Sequence, residues 1–143
     1  GEQGRFEFKC AQGATFGMTQ LLYSDAIVGF LRDFARESDH RPELLLSFGF
    51  VPKLEGKVVL INWLIQDPGN EAVAREQEFV RRLAGDEPAG KRRDLVDLYK
   101  RVIDGVVDLG FPLSVHFEAP YGVSGPAFDT FAEMLAYWSP GTR

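Results

Sequence analysis

Two long apolar segments separated by a short turn restrict the fold of this chain more than any other feature. Residues 43–51 and residues 57–67 are almost continuously apolar, and the connection between them contains Pro52 and Gly56. Apolar runs of this length are typical of central β-strands that are covered on both faces. The short connection predicts a hairpin, so we expect these two strands to pair in an antiparallel sheet.

The rest of the chain alternates between strand-like and helix-like patterns. Residues 5–10 alternate charged and apolar side chains, which predicts a first strand with Phe6, Phe8 and Cys10 facing inward. By residue type, Asn70 is predicted to be the N-cap of a helix, and Gly85 is predicted to end that helix. Further strands are predicted over residues 15–23 and 113–119, and helices over residues 24–38, 71–84 and 91–109 and from Pro126 onward.

The predicted order of elements is β-β-α-β-β-α-α-β-α. Without its first strand, this order is close to the split βαβ arrangement of a ferredoxin-like plait. We therefore predict a single α+β domain over residues 1–143, with an antiparallel sheet and helices mainly on one face. A chain of 143 residues is long enough to bury a hydrophobic core of its own.

The amino-acid composition limits which kinds of binding partner the chain is expected to have. The net charge of −5 argues against a nucleic-acid partner, because neutralising phosphates requires a surplus of Lys and Arg. The longest apolar runs are too short to span a bilayer, so no membrane partner is expected. Cys10 is the only cysteine, which fits a reducing compartment such as the cytoplasm better than secretion. With only two histidines as well, the sequence predicts no metal site.

The best candidates for chemistry lie in the last predicted strand. Ser114, His116 and Glu118 alternate with apolar residues and therefore share one face of that strand. An imidazole and a carboxylate two residues apart, about 7 Å along a strand, suit general acid–base catalysis near neutral pH. We predict His116 and Glu118 as catalytic residues; the alternative is a polar sheet surface that only faces solvent.

Polar residues also interrupt the two apolar strands. A polar side chain inside a buried strand needs hydrogen-bond partners, which a ligand or a neighbouring strand supplies. Gly49 predicts a bulge in its strand, or else a close approach of another group, and the bulge is the favoured interpretation. Trp63 is expected in the core beneath the helices. The predicted ligand-binding set is Ser47, Asn62, Gln66, Ser114 and Tyr121.

Six segments of the chain share a sequence pattern with a known domain, namely residues 5–9, 21–26, 30–35, 42–44, 58–67 and 110–117. Together they resemble the substrate-binding domain of berberine-bridge-type FAD-linked oxidases. The similarity implies a ligand-binding domain of an oxidoreductase, with Asn62, Ser114, His116 and Glu118 projecting toward a flavin. The chain lacks that family's flavin-binding domain and its His and Cys for FAD attachment. We therefore expect no cofactor on this chain alone, and FAD only where a flavin domain adjoins.

Two other functions fit the same sequence. One is a small acidic protein-interaction module of the immunity or inhibitor type, with residues 71–78 and 86–87 as its acidic surface. The other is a homodimeric plait enzyme that uses His116 as a base. The expected partner is accordingly a small-molecule ligand, another protein or a second copy of the chain.

Overall fold

A computed structural model describes residues 1–52, 61, 63, 65–67, 69–120 and 122–141. Three strands and five helices lie entirely within these residues. In chain order they are α1 (Glu2–Ala11), β1 (Phe16–Leu21), α2 (Ala26–Glu37), β2 (Glu43–Gly49), α3 (Glu71–Gly85), α4 (Pro88–Val106), β3 (Leu113–Glu118) and α5 (Gly125–Tyr137).

The sheet is parallel, with β2 between β1 and β3. The prediction of an antiparallel, ferredoxin-like α+β plait is therefore wrong, and the fold is α/β. The physical reason is the connections: α2 links β1 to β2, and α3 and α4 link β2 to β3. A helical crossover returns the chain to the end of the sheet where the previous strand began, so the next strand runs the same way.

The hairpin that suggested an antiparallel sheet is not found. Most of the predicted strand over residues 57–67 lies outside the described residues. Ile61 and Trp63 within it have helical backbone, and Ile65 N donates a hydrogen bond to Ile61 O at 3.1 Å. Trp63 is exposed, so its predicted place in the core is also wrong.

The first predicted strand is a helix, α1. Its alternating pattern also places Phe6 and Cys10 four residues apart, which is one helical turn. The Phe6 ring packs edge-on against Phe34 of α2, with ring centroids 4.7 Å apart, and Cys10 is buried. A short pattern of this kind fits both structures, and the contact with α2 favours the helix.

Helices α4 and α5 pack on one face of the sheet, which we call the helix face. Phe48 of β2 contacts Tyr99 of α4, with centroids 4.9 Å apart. Phe117 of β3 stacks on Phe131 of α5 at 4.7 Å. Side chains that point to this face form the main core together with α4, as the alternation of strand residues requires.

The opposite face, which we call the open face, carries the other strand residues. Phe16 and Met18 of β1 are 65% and 53% exposed on it. By the strand register, Ser47, His116 and Glu118 point to the same side. Parallel sheets usually have both faces covered, so the part of the open face around Phe16 and Met18 is available to a ligand or another surface, whereas Ser47 on the same face is buried.

Gly105 allows α2 and α4 to approach closely. A Cβ atom at this position would lie 2.5 Å from Cγ1 and 2.8 Å from Cγ2 of Val28. Gly29 is also within a helix, but a Cβ there would meet nothing within 4 Å.

We expect Gly105→Ala and Gly29→Ala to have opposite effects on stability. Both gain helix propensity of up to about 1 kcal/mol, but at Gly105 the overlap with Val28 costs about 1–3 kcal/mol. Urea unfolding should show destabilisation for Gly105→Ala and stabilisation for Gly29→Ala. Adding Val28→Ala to Gly105→Ala should relieve the overlap; equal effects of the two single variants would contradict this packing.

Candidate functional site

The carboxyl ends of β2 and β3 bring three of the predicted site residues together. In a parallel α/β sheet, ligands bind at this edge. Ser47 pairs with His116 across the two strands, and Gly49 pairs with Glu118. Because paired residues of neighbouring strands are about 5 Å apart and point the same way, Ser47, His116 and Glu118 form one cluster on the open face.

His116 and Glu118 are in direct contact. The distance from His116 Nε2 to Glu118 Oε1 is 3.0 Å, and the two side chains are 41% and 36% exposed. The carboxylate accepts a hydrogen bond when the ring carries its proton on Nε2. The other ring nitrogen, Nδ1, is not part of this contact, and the partly exposed imidazole is able to exchange a proton with a ligand.

Ser114 lies on the same face but nearer the amino ends of the strands. It pairs with Leu45, and its Oγ donates a hydrogen bond to Glu43 Oε1 at 2.8 Å. Its hydroxyl is thus held by a neighbouring strand, the alternative that the sequence left open for such residues.

Tyr23 belongs to this edge, although the sequence did not mark it as a site residue. Its hydroxyl donates a hydrogen bond to Gly49 O at 3.1 Å. Burial, and secondarily the nearby charge of Glu118, raises the pKa of the Tyr23 phenol far above its ordinary value, so the phenol stays protonated.

Gly49 makes room for this phenol. A Cβ at Gly49 would lie 2.6 Å from the Tyr23 hydroxyl oxygen. The glycine was predicted to mark a bulge, but the irregular register is in β1, between Met18 and Leu21. The sequence signal for this feature was a glycine within a strand. The physical reason for that glycine is the close approach of the Tyr23 side chain.

Ser47 is buried, with only 1% of its surface exposed. Its backbone N donates to Thr19 Oγ1 at 3.0 Å. Its own Oγ has no hydrogen-bond partner within the described part of the chain. An unpaired buried hydroxyl is unfavourable, so this atom is an exception within the described part of the chain, and its burial keeps it out of direct reach of a molecule on the surface.

The remaining predicted ligand residues do not join the cluster. Gln66 is exposed and follows a helical turn, with its N donating to Trp63 O at 3.3 Å. Asn62 and Tyr121 lie outside the described residues. Among the residues that are described, no three His, Cys, Asp or Glu side chains are grouped to hold a metal ion. None of the described helices is both long and apolar enough to cross a membrane.

Comparison with known protein families identifies the family of this chain. A family model described as mycobacterial methylenetetrahydrofolate reductase matches residues 1–142. The chain belongs to this family. No curated protein matches it at a significant level. The coarse class predicted from the sequence, a domain of an oxidoreductase family, agrees with this membership.

The resemblance to berberine-bridge-type FAD-linked oxidases is wrong, since the mycobacterial methylenetetrahydrofolate reductase family accounts for almost the whole chain. The resemblance rested on alternating and apolar patterns, which unrelated folds share. Its first segment, residues 5–9, was taken as a strand and lies in α1.

The acidic surface suggested for a protein-interaction module includes bases as well as acids. Helix α3 carries Arg75, Arg81 and Arg82 beside its glutamates. Glu78 forms an ion pair with Arg81, and Glu76 accepts a hydrogen bond from Ser24 Oγ at 2.6 Å. The suggested surface still has more acids than bases, and binding of a protein there stays a prediction.

Proposed function

We propose that this chain takes part in the reduction of a methylenetetrahydrofolate, with the His116–Glu118 pair on the open face as its acid–base group. The observation that carries the proposal is the family match over residues 1–142. The site is supported by the 3.0 Å contact of His116 with Glu118 at the carboxyl edge of a parallel sheet.

The chemistry implied by the family name requires both a hydride and a proton. Reducing a methylene bridge between two nitrogens to a methyl group forms one C–H bond and breaks one C–N bond. The carbon takes a hydride, and the departing nitrogen takes a proton. A side chain that delivers this proton in the transition state contributes about 10²–10⁴-fold to the rate.

His116 is the residue suited to deliver that proton. Its Nε2 is held by Glu118 Oε1 at 3.0 Å, which fixes the orientation of the ring. Its Nδ1–H would then donate to the departing nitrogen, leaving a neutral imidazole paired with the carboxylate. Solvent reaches the half-exposed ring and returns the proton after each turnover.

The hydride must come from a reduced nicotinamide or a reduced flavin, and the turn after β1 does not fit a resident dinucleotide. The turn after β1 contains Leu22, Tyr23, Ser24 and Asp25 and has no glycine to admit a pyrophosphate. The N-terminus of α5 is capped by its own Ser124, which accepts from Ala127 N at 3.2 Å. We therefore treat the hydride donor as a co-substrate.

The direct test supplies methylenetetrahydrofolate and each hydride donor to the purified protein. We expect oxidation of NADH, NADPH or reduced FAD to be coupled to formation of methyltetrahydrofolate, followed by absorbance and mass spectrometry. Folded protein that forms no product with any donor, and that does not bind methylenetetrahydrofolate in calorimetry, would contradict the proposal.

Ser47→Ala separates a structural role from a ligand-binding role. Removing an unpaired buried hydroxyl should leave the free energy of unfolding unchanged or raise it by up to about 1 kcal/mol. Because Ser47 is buried, its Oγ reaches a bound folate only if the residues around it move; in that case the same variant should raise Kd by about 5–10-fold, equivalent to one neutral hydrogen bond. Unchanged affinity in calorimetry would remove Ser47 from the ligand-binding set.

A further inference from the structure

Three residues form a row across the open face at the carboxyl edge of the sheet. Gly49 of β2 pairs with Glu118 of β3, and both alternate with Phe48 and Phe117 of the helix face. From the β1 side, the Tyr23 hydroxyl oxygen would lie 2.6 Å from a Cβ atom at Gly49. We call Tyr23, Gly49 and Glu118 the edge row.

The Tyr23 phenol occupies the side-chain space above Gly49. Because the glycine has no side chain, the phenol and the Leu21 methyl groups, which would lie 3.2 Å from the same Cβ atom, fill this space instead. Without the phenol, the Glu118 carboxylate would be free to turn toward Gly49. Burial, and after it the charge of Glu118, raises the pKa of the Tyr23 phenol, which agrees with a carboxylate close to the hydroxyl.

A hydrogen bond holds the phenol in this place. β1 ends at Leu21, and the Tyr23 hydroxyl donates to Gly49 O at 3.1 Å. This carbonyl points toward β1, because successive backbone groups of a central parallel strand face its two neighbours in turn. The phenol therefore replaces a backbone donor. On the β3 side, Phe50 N donates to Glu118 O at 2.9 Å, so the strand end held by Tyr23 also positions the backbone of Glu118.

We propose that Tyr23 is a positioning residue that keeps Glu118 in contact with His116. The Glu118 carboxylate meets His116 Nε2 at 3.0 Å on one side, and the Tyr23 phenol lies on its other side in the edge row. The phenol limits rotation of the carboxylate toward Gly49 and anchors the adjoining strand end. The consequence for turnover rests on the proposed function, whereas the contact itself does not.

The tautomer of the His116 ring reports this contact without any turnover. Imidazole nitrogen NMR at about pH 8.5, where an ordinary imidazole is neutral, measures the ratio of the Nε2–H form to the Nδ1–H form. A carboxylate that accepts from Nε2 favours the first form. His40→Gln in every sample leaves a single imidazole. Tyr23→Phe should lower the ratio at least about 3-fold, and Glu118→Ala at least about 5-fold.

Tyr99→Phe is the matched control. Tyr99 is also buried, and its hydroxyl also donates to a backbone carbonyl, that of Trp138, at 2.6 Å. Its ring packs against Phe48 on the helix face. Tyr99→Phe should therefore lower the free energy of unfolding, as Tyr23→Phe does, but leave the tautomer ratio of His116 unchanged.

An exchange of volume between two strands tests the geometry independently. Gly49→Ala places a methyl group against the Tyr23 hydroxyl and should lower the ratio by displacing the phenol. Combining Gly49→Ala with Tyr23→Phe should recover most of the loss, because the methyl group fills the space that the hydroxyl leaves. An unchanged ratio in folded Tyr23→Phe or Gly49→Ala protein would overturn the proposal, as would an equal loss in Tyr99→Phe.

Turnover separates this proposal from the proposed function. In a chain that reduces methylenetetrahydrofolate, Tyr23→Phe should lower kcat by about 10–100-fold, the cost of a misplaced reacting group, with little change in KM. A wild-type chain without this activity would contradict the proposed reduction alone, and the tautomer ratio would still decide the role of Tyr23.

Discussion

His116→Gln is expected to lower kcat for methylenetetrahydrofolate reduction by about 10²–10⁴-fold while changing KM only a few-fold. Glutamine keeps a hydrogen-bonding group of similar size but carries no transferable proton. The loss should fall on kcat because the proton moves in the transition state and contributes little to substrate binding. Steady-state kinetics with varied folate concentration measure the two parameters separately.

The second histidine of the chain provides a matched control. His40 Nε2 lies 3.4 Å from Glu7 Oε1, and its side chain is 43% exposed, so its surroundings resemble those of His116. It precedes β2, at the amino end of the sheet, away from the proposed site. His40→Gln should leave kcat unchanged. Full turnover of His116→Gln would remove His116 as the proton donor, although the family relationship would remain.

Arg41→Ala is expected to destabilise the fold by about 3 kcal/mol, or a fall in Tm of about 10 °C. The guanidinium donates to four carbonyl oxygens, those of Ala35, Ser38, His40 and Leu109, at 2.7–3.0 Å. It also lies 5.1 Å from the centroid of the Phe111 ring. Removing it leaves these carbonyls without a charged donor at the end of α2 and in the turn before β3.

Arg36→Ala is the control for Arg41→Ala. Arg36 is on α2 and makes ion pairs with Asp33 and Glu37, but its side chain is exposed. Exposed pairs contribute about 0–1 kcal/mol, so its loss should hardly change urea unfolding. Arg41→Lys should recover only part of the stability, because a single ammonium does not reproduce the planar fork. Equal effects of Arg36→Ala and Arg41→Ala would contradict the role assigned to Arg41.

Local sequence patterns predicted most of the helices and strands whose own residues show a clear pattern. The strands β1, β2 and β3 and the helices α2 to α5 lie close to their predicted positions. The Asn70 cap is confirmed, with its Oδ1 accepting from Ala72 N at 3.0 Å. These features depend on residues near one another in the chain, which is why the sequence reveals them.

Part of the candidate site could also be predicted from the sequence, because it depends on residues that are near one another in the chain. The alternation over residues 113–118 placed His116 and Glu118 on one face, and the structure shows them in contact. That Ser47 lies opposite His116 follows from the pairing of β2 with β3, which are more than sixty residues apart. Tyr23 was missed because its role depends on a glycine in another strand.

The sequence by itself determined which segments are apolar enough to be strands or helices, and which polar side chains share a strand face. Only the tertiary structure decided that the strands are parallel, that residues 5–10 form a helix, and that Ser47, His116 and Glu118 meet at one edge. The reason is that hydrophobic periodicity reports which side of an element is buried, whereas the direction and neighbours of a strand depend on contacts between distant parts of the chain. The apolar run over residues 43–51 specifies a buried strand and leaves the direction of its neighbours to those contacts.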